Sequence, residues 1–411
     1  MIELDCCGQG AAAGRRLIDC YNASEAGSRF IVRLDSYGAG LRMWLLEAGV
    51  RHRAVRSANG SWELLVARGL SPAQGSLPGM HHAVSDARGS VWTCRRDSRV
   101  LRIDASERRV VAAADVASAA AHLALDGERG LLFVADAGGD RVIALRASDL
   151  GVLAQWPAPG APQLPLVSPE GVVCVAGGAS GTLTIAHPRR GAYEPRTIQV
   201  GNCPHEAALT LDGGHVFVSC AGEGGLVKVR LRDGAVVGRC RTGDGPAHLQ
   251  PLGARLYVAH SWDGTLACVT EEGEVLARAE SGGGAHALRA TPDGRWLYCA
   301  NFLDDTLAVF DAADLRRVAL LETEAYPHGL DISPDGRRVV ATGYSSDFVR
   351  VYDAARHAEL ARIEVGRGSS HTAFSPDSGT AFVACSVDDH VACVDLAGLR
   401  REAAIGLQEG R

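Results

Sequence analysis

The sequence predicts a mainly β protein: an eight-bladed β-propeller preceded by a small α/β domain of order β-α-β-α-β-β. Three observations carry that expectation. A histidine recurs at a nearly fixed interval from His81 onward, the segments between these histidines share one four-strand layout, and the first seventy residues do not follow the period. His81, His122, His205, His248, His286, His328 and His371 lie 41, 83, 43, 38, 42 and 43 residues apart, and the midpoint of the doubled step holds Gln163. A period of about 42 residues means one supersecondary unit copied around a ring.

Composition agrees. The 49 glycines suit many tight turns, and 46% hydrophobic content is enough for real cores. A net charge of −6 argues against a nucleic-acid partner, which normally needs a basic face. No apolar run approaches the length of a membrane span. The start Met1-Ile2-Glu3-Leu4-Asp5 lacks the basic and apolar stretches of a secretory signal, so a cytoplasmic location is expected. There the twelve cysteines should be thiols or metal ligands, not disulfides.

Residues 1–70 form the first domain. Ile2-Glu3-Leu4 reads as a strand and Ala11 to Tyr21 as a helix with Leu17, Ile18 and Tyr21 on one face. Arg29 to Leu34 alternates as a strand, and Leu41 to Ala48 reads as a second helix. Val55 and Trp62 to Val66 flank Asn59-Gly60 as a hairpin. This order, together with Leu4-Asp5…Gly8, resembles the TusA/SirA-like sulfur-carrier family. That family carries a Cys-Pro pair at the first helix, where the helix terminus favours thiolate. The matching positions here are Ala11 and Ala12, so the nucleophile is missing, although Cys6 and Cys7 lie just upstream and Cys20 lies in the helix. The resemblance then implies a degenerate domain that docks a protein partner, and it tilts the substrate towards sulfur compounds. Residues 71–79 are the linker.

From residue 80 to 411 each repeat opens with the histidine position and a short apolar strand. A turn such as Ser333-Pro334-Asp335-Gly336 or Thr291-Pro292-Asp293-Gly294 follows. The second strand is exemplified by Trp296 to Ala300, the third by Val349 to Asp353 and the fourth by Val318 to Leu321. Four short strands per repeat mark a propeller blade. The expected blades are 80–115, 116–158, 159–200, 201–242, 243–281, 282–323, 324–366 and 367–408. The layout resembles the YVTN/YncE-like propellers and the eight-bladed propellers of the d1-haem group. The second resemblance implies a tetrapyrrole as one candidate ligand.

In such blades the first strand lines the central channel, so the seven histidines and Gln163 are expected near one mouth as a metal-binding ring. A second periodic position ends strand two: Arg95, Asp136, Gly177, Cys220, His260, Asn301, Gly343 and Cys385. Of these, Asp136, Cys220, His260 and Cys385, with Gln163 and Glu206, are candidates to hold a cofactor or to orient the imidazoles through their second nitrogen. Cys203, His205, Cys220, His248 and His260 form a nitrogen/sulfur sector suited to copper, iron or zinc. A histidine that merely caps each blade is the bland alternative. His82 competes with His81, His187, His357 and His390 lack recurring partners, His215 reads as a core or surface position and His52 as solvent-facing. No serine sits in a nucleophile-elbow context, and no glycine-rich phosphate loop is present.

The expected function is therefore a copper- or iron-dependent oxidoreductase or oxygenase acting on a small molecule, without nucleic acid or membrane. The alternatives are a non-catalytic binder of a tetrapyrrole or metal complex, a lactonase-like hydrolase using Asp136, Arg95 and Glu206, and an interaction scaffold.

Overall fold

The computed structural model describes residues 2–5, 29–34, 51–56, 62–67, 80–95 and 98–406, with side chains from His82 onward. The chain divides into two compact units, Met1–Leu77 and Pro78–Arg411.

In the first unit the strands Ile2–Asp5 (β1), Arg29–Leu34 (β2), Arg51–Arg56 (β3) and Trp62–Ala67 (β4) form one sheet in the order β1-β2-β4-β3. The β1–β2 pair is parallel and the other two are antiparallel. The two expected helices, Cys6, Cys7, Cys20 and the Ala11-Ala12 pair lie outside the described residues.

The second unit is an eight-bladed propeller. Its blades span 80–115, 120–157, 162–199, 204–241, 246–280, 285–322, 327–364 and 369–406, and each is a four-stranded antiparallel meander in sequence order. The eight innermost strands are Met80–Ser85, Ala120–Asp126, Pro162–Val167, Pro204–Leu209, Pro246–Leu252, Ala285–Ala290, Pro327–Ile332 and Ser369–Phe374. Each packs beside the next, and the last packs against the first, which closes the ring. Every blade is built from consecutive strands, so closure rests on packing. Ala83, Val91, Leu101 and Ile103 of blade one join Ala373, Phe382, Ala384, Val391 and Cys393 of blade eight in one apolar cluster.

The strand patterns follow from this arrangement. Second strands such as Trp296–Asn301 are buried on both faces, because a neighbouring blade covers each face. Fourth strands face solvent on one side, and Val275–Glu280 alternates accordingly. The Ser/Thr-Pro-Asp turns are held by their own side chains. Ser333 Oγ donates to Asp335 Oδ1 at 2.6 Å and accepts from Arg338 N at 3.0 Å. Gly336 completes that turn with φ of +72°, a conformation glycine adopts without strain.

At the other end of the blades, carboxylates between strands two and three clamp the loop that enters the same blade. Asp263 accepts from Asp244 N at 2.7 Å and Asp388 from Arg367 N at 2.8 Å. Asp136 is the most buried of this set, at 0% exposure. It accepts from Ser118 N and Ala119 N at 2.8 Å, from Gly139 N at 3.2 Å and from Arg141 Nε at 2.8 Å. These clamps fix where the innermost strands of blades two, five and eight begin.

Removing a buried, fully bonded carboxylate strands several donors and a guanidinium. Asp136→Ala should therefore destabilise the propeller by about 3 kcal/mol in urea unfolding. Asp304→Ala, at an exposed clamp to Gly283 N, should cost about 1 kcal/mol or less.

Candidate functional site

Each innermost strand carries a register shift close to its start. In blade four the pair Pro204–Cys220 is followed by Ala207–Val218, so His205 and Glu206 together oppose Ser219. In blade six the pair Ala285–Asn301 is followed by Leu288–Cys299, so His286 and Ala287 oppose Ala300. A bulge puts an extra residue on one strand and re-aims side chains. Hydroxyls tie it to the next blade. Ser219 Oγ donates to Ala247 O at 2.8 Å and accepts from Glu206 N at 3.1 Å. Thr342 Oγ1 does the same with Ser370 O at 2.6 Å and Gly329 N at 2.9 Å.

The bulge corrects the expectation of one equivalent position per blade. Counted from the residue that pairs with the end of strand two, His205, His286 and His328 stand at the first bulge position, whereas Gln163 pairs with Ala176 just before its own blade's bulge. His122, His248 and His371 stand at the second, and blade one carries His81 at the first and His82 at the second. The uneven sequence steps of 43 and 38 around His248 are this switch of position.

Both positions bring imidazoles into mutual contact. Ring centroids are 5.0 Å apart from His122 to His82, 4.7 Å from His82 to His371, and 5.2 Å from His371 to His328. The chain continues at 5.8 Å to His286, 4.5 Å to His248 and 5.4 Å to His205. In the described part of blade one the ring in this chain belongs to His82. The His81 side chain lies outside the described residues. Gln163, half-buried, occupies the blade between His122 and His205.

Within the chain, His205, His248 and His286 stand out. Their ligand nitrogens all lie within 4.8 Å of one another, and among the described residues this is the group that meets that test for a metal ion. Nδ1 of His205, Nδ1 of His248 and both ring nitrogens of His286 are buried without a hydrogen-bond partner among the described residues. A buried polar atom left unpaired costs about 1–3 kcal/mol, so unpaired nitrogens on all three rings fit a site in which each ring offers one ligand atom and leaves the other for a supporting contact. Glu206 Oε2 lies 3.4 Å from His248 Nδ1, just beyond a normal hydrogen bond, and accepts from Leu249 N at 2.6 Å.

Electrostatics favour the neutral ring. Burial holds His205 down to about 4 and His82 to about 3, the latter helped by the Arg289 and His328 charges. His248 and His286 are pushed well below the ordinary histidine value by burial and by neighbouring imidazoles. Neutral imidazole is the form that binds a metal. Burial pushes the Glu206 carboxyl up to about 7, against the Arg289 charge and the Leu249 amide. The sequence reading passed over Arg289 and Asp331. Arg289 Nε donates to Asp331 Oδ1 at 3.1 Å and Nη1 to Leu288 O at 2.9 Å. Each stands three residues after a histidine, on a strand that packs within the ring; a charge there was the available signal.

The second periodic position has a different role from the one expected. Asp136 is the loop clamp described above. His260 is buried and bonded at both nitrogens, to Thr242 Oγ1 at 3.0 Å and Thr265 O at 3.2 Å. Cys220 and Cys385 are buried in apolar inter-blade clusters, and burial pushes both thiols up to about 12. None of the four hydrogen-bonds an imidazole of the chain among the described contacts, because strand-two ends point into loops and blade interfaces. Cys203 is exposed, apart from the triad. His187, His357 and His390 bond Leu231 O, Tyr298 Oη and Val365 O.

The sequence model of the "Lactonase, 7-bladed beta-propeller" family matches residues 178–358 and 321–403, together more than half of the chain. No curated protein matches in sequence. Among solved structures, dihydro-heme d1 dehydrogenase NirN in complex with DHE is similar with a TM-score of 0.61 at 18% identity, over 71% of this chain and 68% of that one. Hydrazine synthase of Kuenenia stuttgartiensis has a TM-score of 0.56 at 17% identity, over 78% and 96%. A protein of unknown function from Desulfotomaculum acetoxidans DSM 771 has 0.54 at 12%, over 67% and 95%. At these identities the likeness is one of fold. None of these matches supports a sulfur-carrier likeness for residues 1–70. Among the described residues no helix is long and apolar enough to cross a membrane.

The buried imidazoles set a pH dependence of stability. They are neutral when folded and take a proton when unfolded below about pH 6.5, so the unfolded state binds more protons and stability falls as pH drops from 7 towards 4. Each such histidine contributes roughly 1.4 kcal/mol per pH unit in that window. Glu206 acts in the opposite sense: its raised value makes stability fall as pH rises from about 4.5 to about 7. Several histidines outweigh one carboxyl. Urea unfolding in chelator-treated buffer should show this loss on acidification, and His205→Gln/His248→Gln/His286→Gln should flatten it. An unchanged slope in that variant would contradict the burial assigned to the triad.

Proposed function

Because the chain belongs to the family described as lactonase, 7-bladed β-propeller, here with an eighth blade, we propose that its channel is a metal-dependent site that hydrolyses a lactone or similar cyclic ester. The observation that carries this reading is the convergence of His205, His248 and His286 beside Glu206. Three neutral nitrogens form the ligand set of a catalytic site that keeps a fourth position open. A bound ion would supply Lewis-acid polarisation of the ester carbonyl and of the attacking water.

The chain's own residues do the rest. Glu206 Oε2, turned slightly, accepts from His248 Nδ1 and fixes the tautomer that presents Nε2. With its value near neutrality, the same carboxyl takes the proton of the attacking water as the new C–O bond forms. It returns that proton to the ring oxygen as the old C–O bond breaks. Burial pushes the Asp331 carboxyl up, Arg289 opposes that rise, and the same guanidinium favours the carboxylate form of Glu206.

The excess of imidazoles over what one hydrolytic ion needs favours a second reading. In it, copper or iron in the channel performs oxidoreductase or oxygenase chemistry, or the channel holds a haem-like tetrapyrrole of the kind named for the dihydro-heme d1 dehydrogenase.

Elemental mass spectrometry, an absorption spectrum and a panel of lactones assayed with and without chelator decide between the readings. The hydrolase reading expects about one or more metal equivalents per chain, a colourless zinc form and lactone hydrolysis abolished by chelator. His205→Ala/His248→Ala should lose the tightly bound metal and the activity together, with an intact fold. Glu206→Gln should keep the metal and lose about 10²–10⁴-fold in kcat. Chelator-resistant hydrolysis, or a tight metal equivalent retained by the double variant, would sink the reading. A strong visible band without hydrolysis would favour the second.

A further inference from the structure

The imidazoles form two clusters, and only one has been used above. His205, His248 and His286 come from consecutive blades four, five and six. His371, His82 and His122 come from consecutive blades eight, one and two. In the first cluster the ring separations are 5.4, 4.5 and 5.4 Å. In the second they are 4.7, 5.0 and 5.6 Å. In both, the rings of the flanking blades touch each other past the central blade, as His205 does His286 and His122 does His371. Blades one and five stand opposite in a ring of eight, so the clusters face each other across the axis. His328 of blade seven bridges one gap, at 5.8 Å to His286 and 5.2 Å to His371. Gln163 of blade three stands in the other gap. The described channel imidazoles are thus a pair of three-ring groups with one bridging ring.

We propose that His82, His122 and His371 form a second site for a borderline transition-metal ion, so that the channel holds two ions on opposed histidine triads. This rests on reading the channel as a metal site, and it deepens that reading. His122 and His371 are buried, at 7% and 8% exposure. His82 is partly buried. Three imidazole nitrogens suit zinc or copper, which accept imidazole sets without an anionic ligand.

The two sites are unequal. Among the described residues, the 4.8 Å convergence of ligand nitrogens belongs to the first triad. In the second, Leu123 N approaches His82 Nδ1 at 3.4 Å, a long contact that ligation through that nitrogen displaces. Ring rotation and loss of that contact weaken the second site. Loading is therefore ordered: the first triad fills first, and the second binds at least tenfold more weakly.

The test titrates the full chain with Zn²⁺ alone, followed by calorimetry and by elemental analysis after dialysis. The wild type should take two equivalents, one tight and one at least tenfold weaker. His82→Ala/His371→Ala should keep the tight equivalent and lose the weak one, and His205→Ala/His248→Ala should do the reverse. If the wild type takes one equivalent that only His205→Ala/His248→Ala removes, the second site falls and the first stands. If no ion binds, both fall. Should the second-cluster variant fail to fold by circular dichroism, Cu²⁺ titration of the wild type serves instead. Dipolar broadening of the electron paramagnetic resonance signal at the second equivalent supports two neighbouring sites, and a second equivalent with an unbroadened signal overturns them.

Discussion

Everything in the channel depends on the bulge at the start of each innermost strand. A regular strand would point alternate residues to opposite faces, and one residue per blade would reach the axis. The bulge gives two adjacent residues that chance. The carboxylate clamps hold its entry, and Ser219 and Thr342 tie one bulge to the next blade's carbonyl. Histidines can therefore switch between two positions from blade to blade while their rings still meet. Ring closure through the blade-one and blade-eight core turns these local devices into one shared site.

Burial then sets the chemistry. Imidazoles crowded together with little water cannot all be protonated, since each would be desolvated beside like charges. His82, His205, His248 and His286 remain neutral at pH 7 and offer lone pairs. The same burial raises Glu206, and Arg289 limits that rise. A carboxyl near neutrality beside a triad of neutral nitrogens is an arrangement in which environment assigns the roles of ligand and base.

The repeat was legible in the sequence because four strands and a polar turn recur at a constant length, and the strand limits fall inside the expected blades. The histidines were legible for the same reason. Their two-position arrangement was not, because a bulge leaves no composition signature and shifts the spacing by only one residue. The contacts at the ends of strand two were not legible: a diverse polar residue such as Asp136 or His260 can serve a loop or a ligand, and here their hydrogen bonds run to loop groups. Arg289 and Asp331 were missed because attention to the period hides charges that occur once. The helices and thiols expected before Trp62 lie outside the described residues.

The most direct test of the account is X-ray absorption at the zinc edge on the full chain loaded with one equivalent of Zn²⁺. The account predicts a first shell of nitrogen at about 2.0 Å, with the outer scattering of three imidazoles, lost when His205→Ala/His248→Ala is combined with His82→Ala/His371→Ala. A shell of oxygen without imidazole scattering, or a spectrum unchanged in that variant, would contradict it.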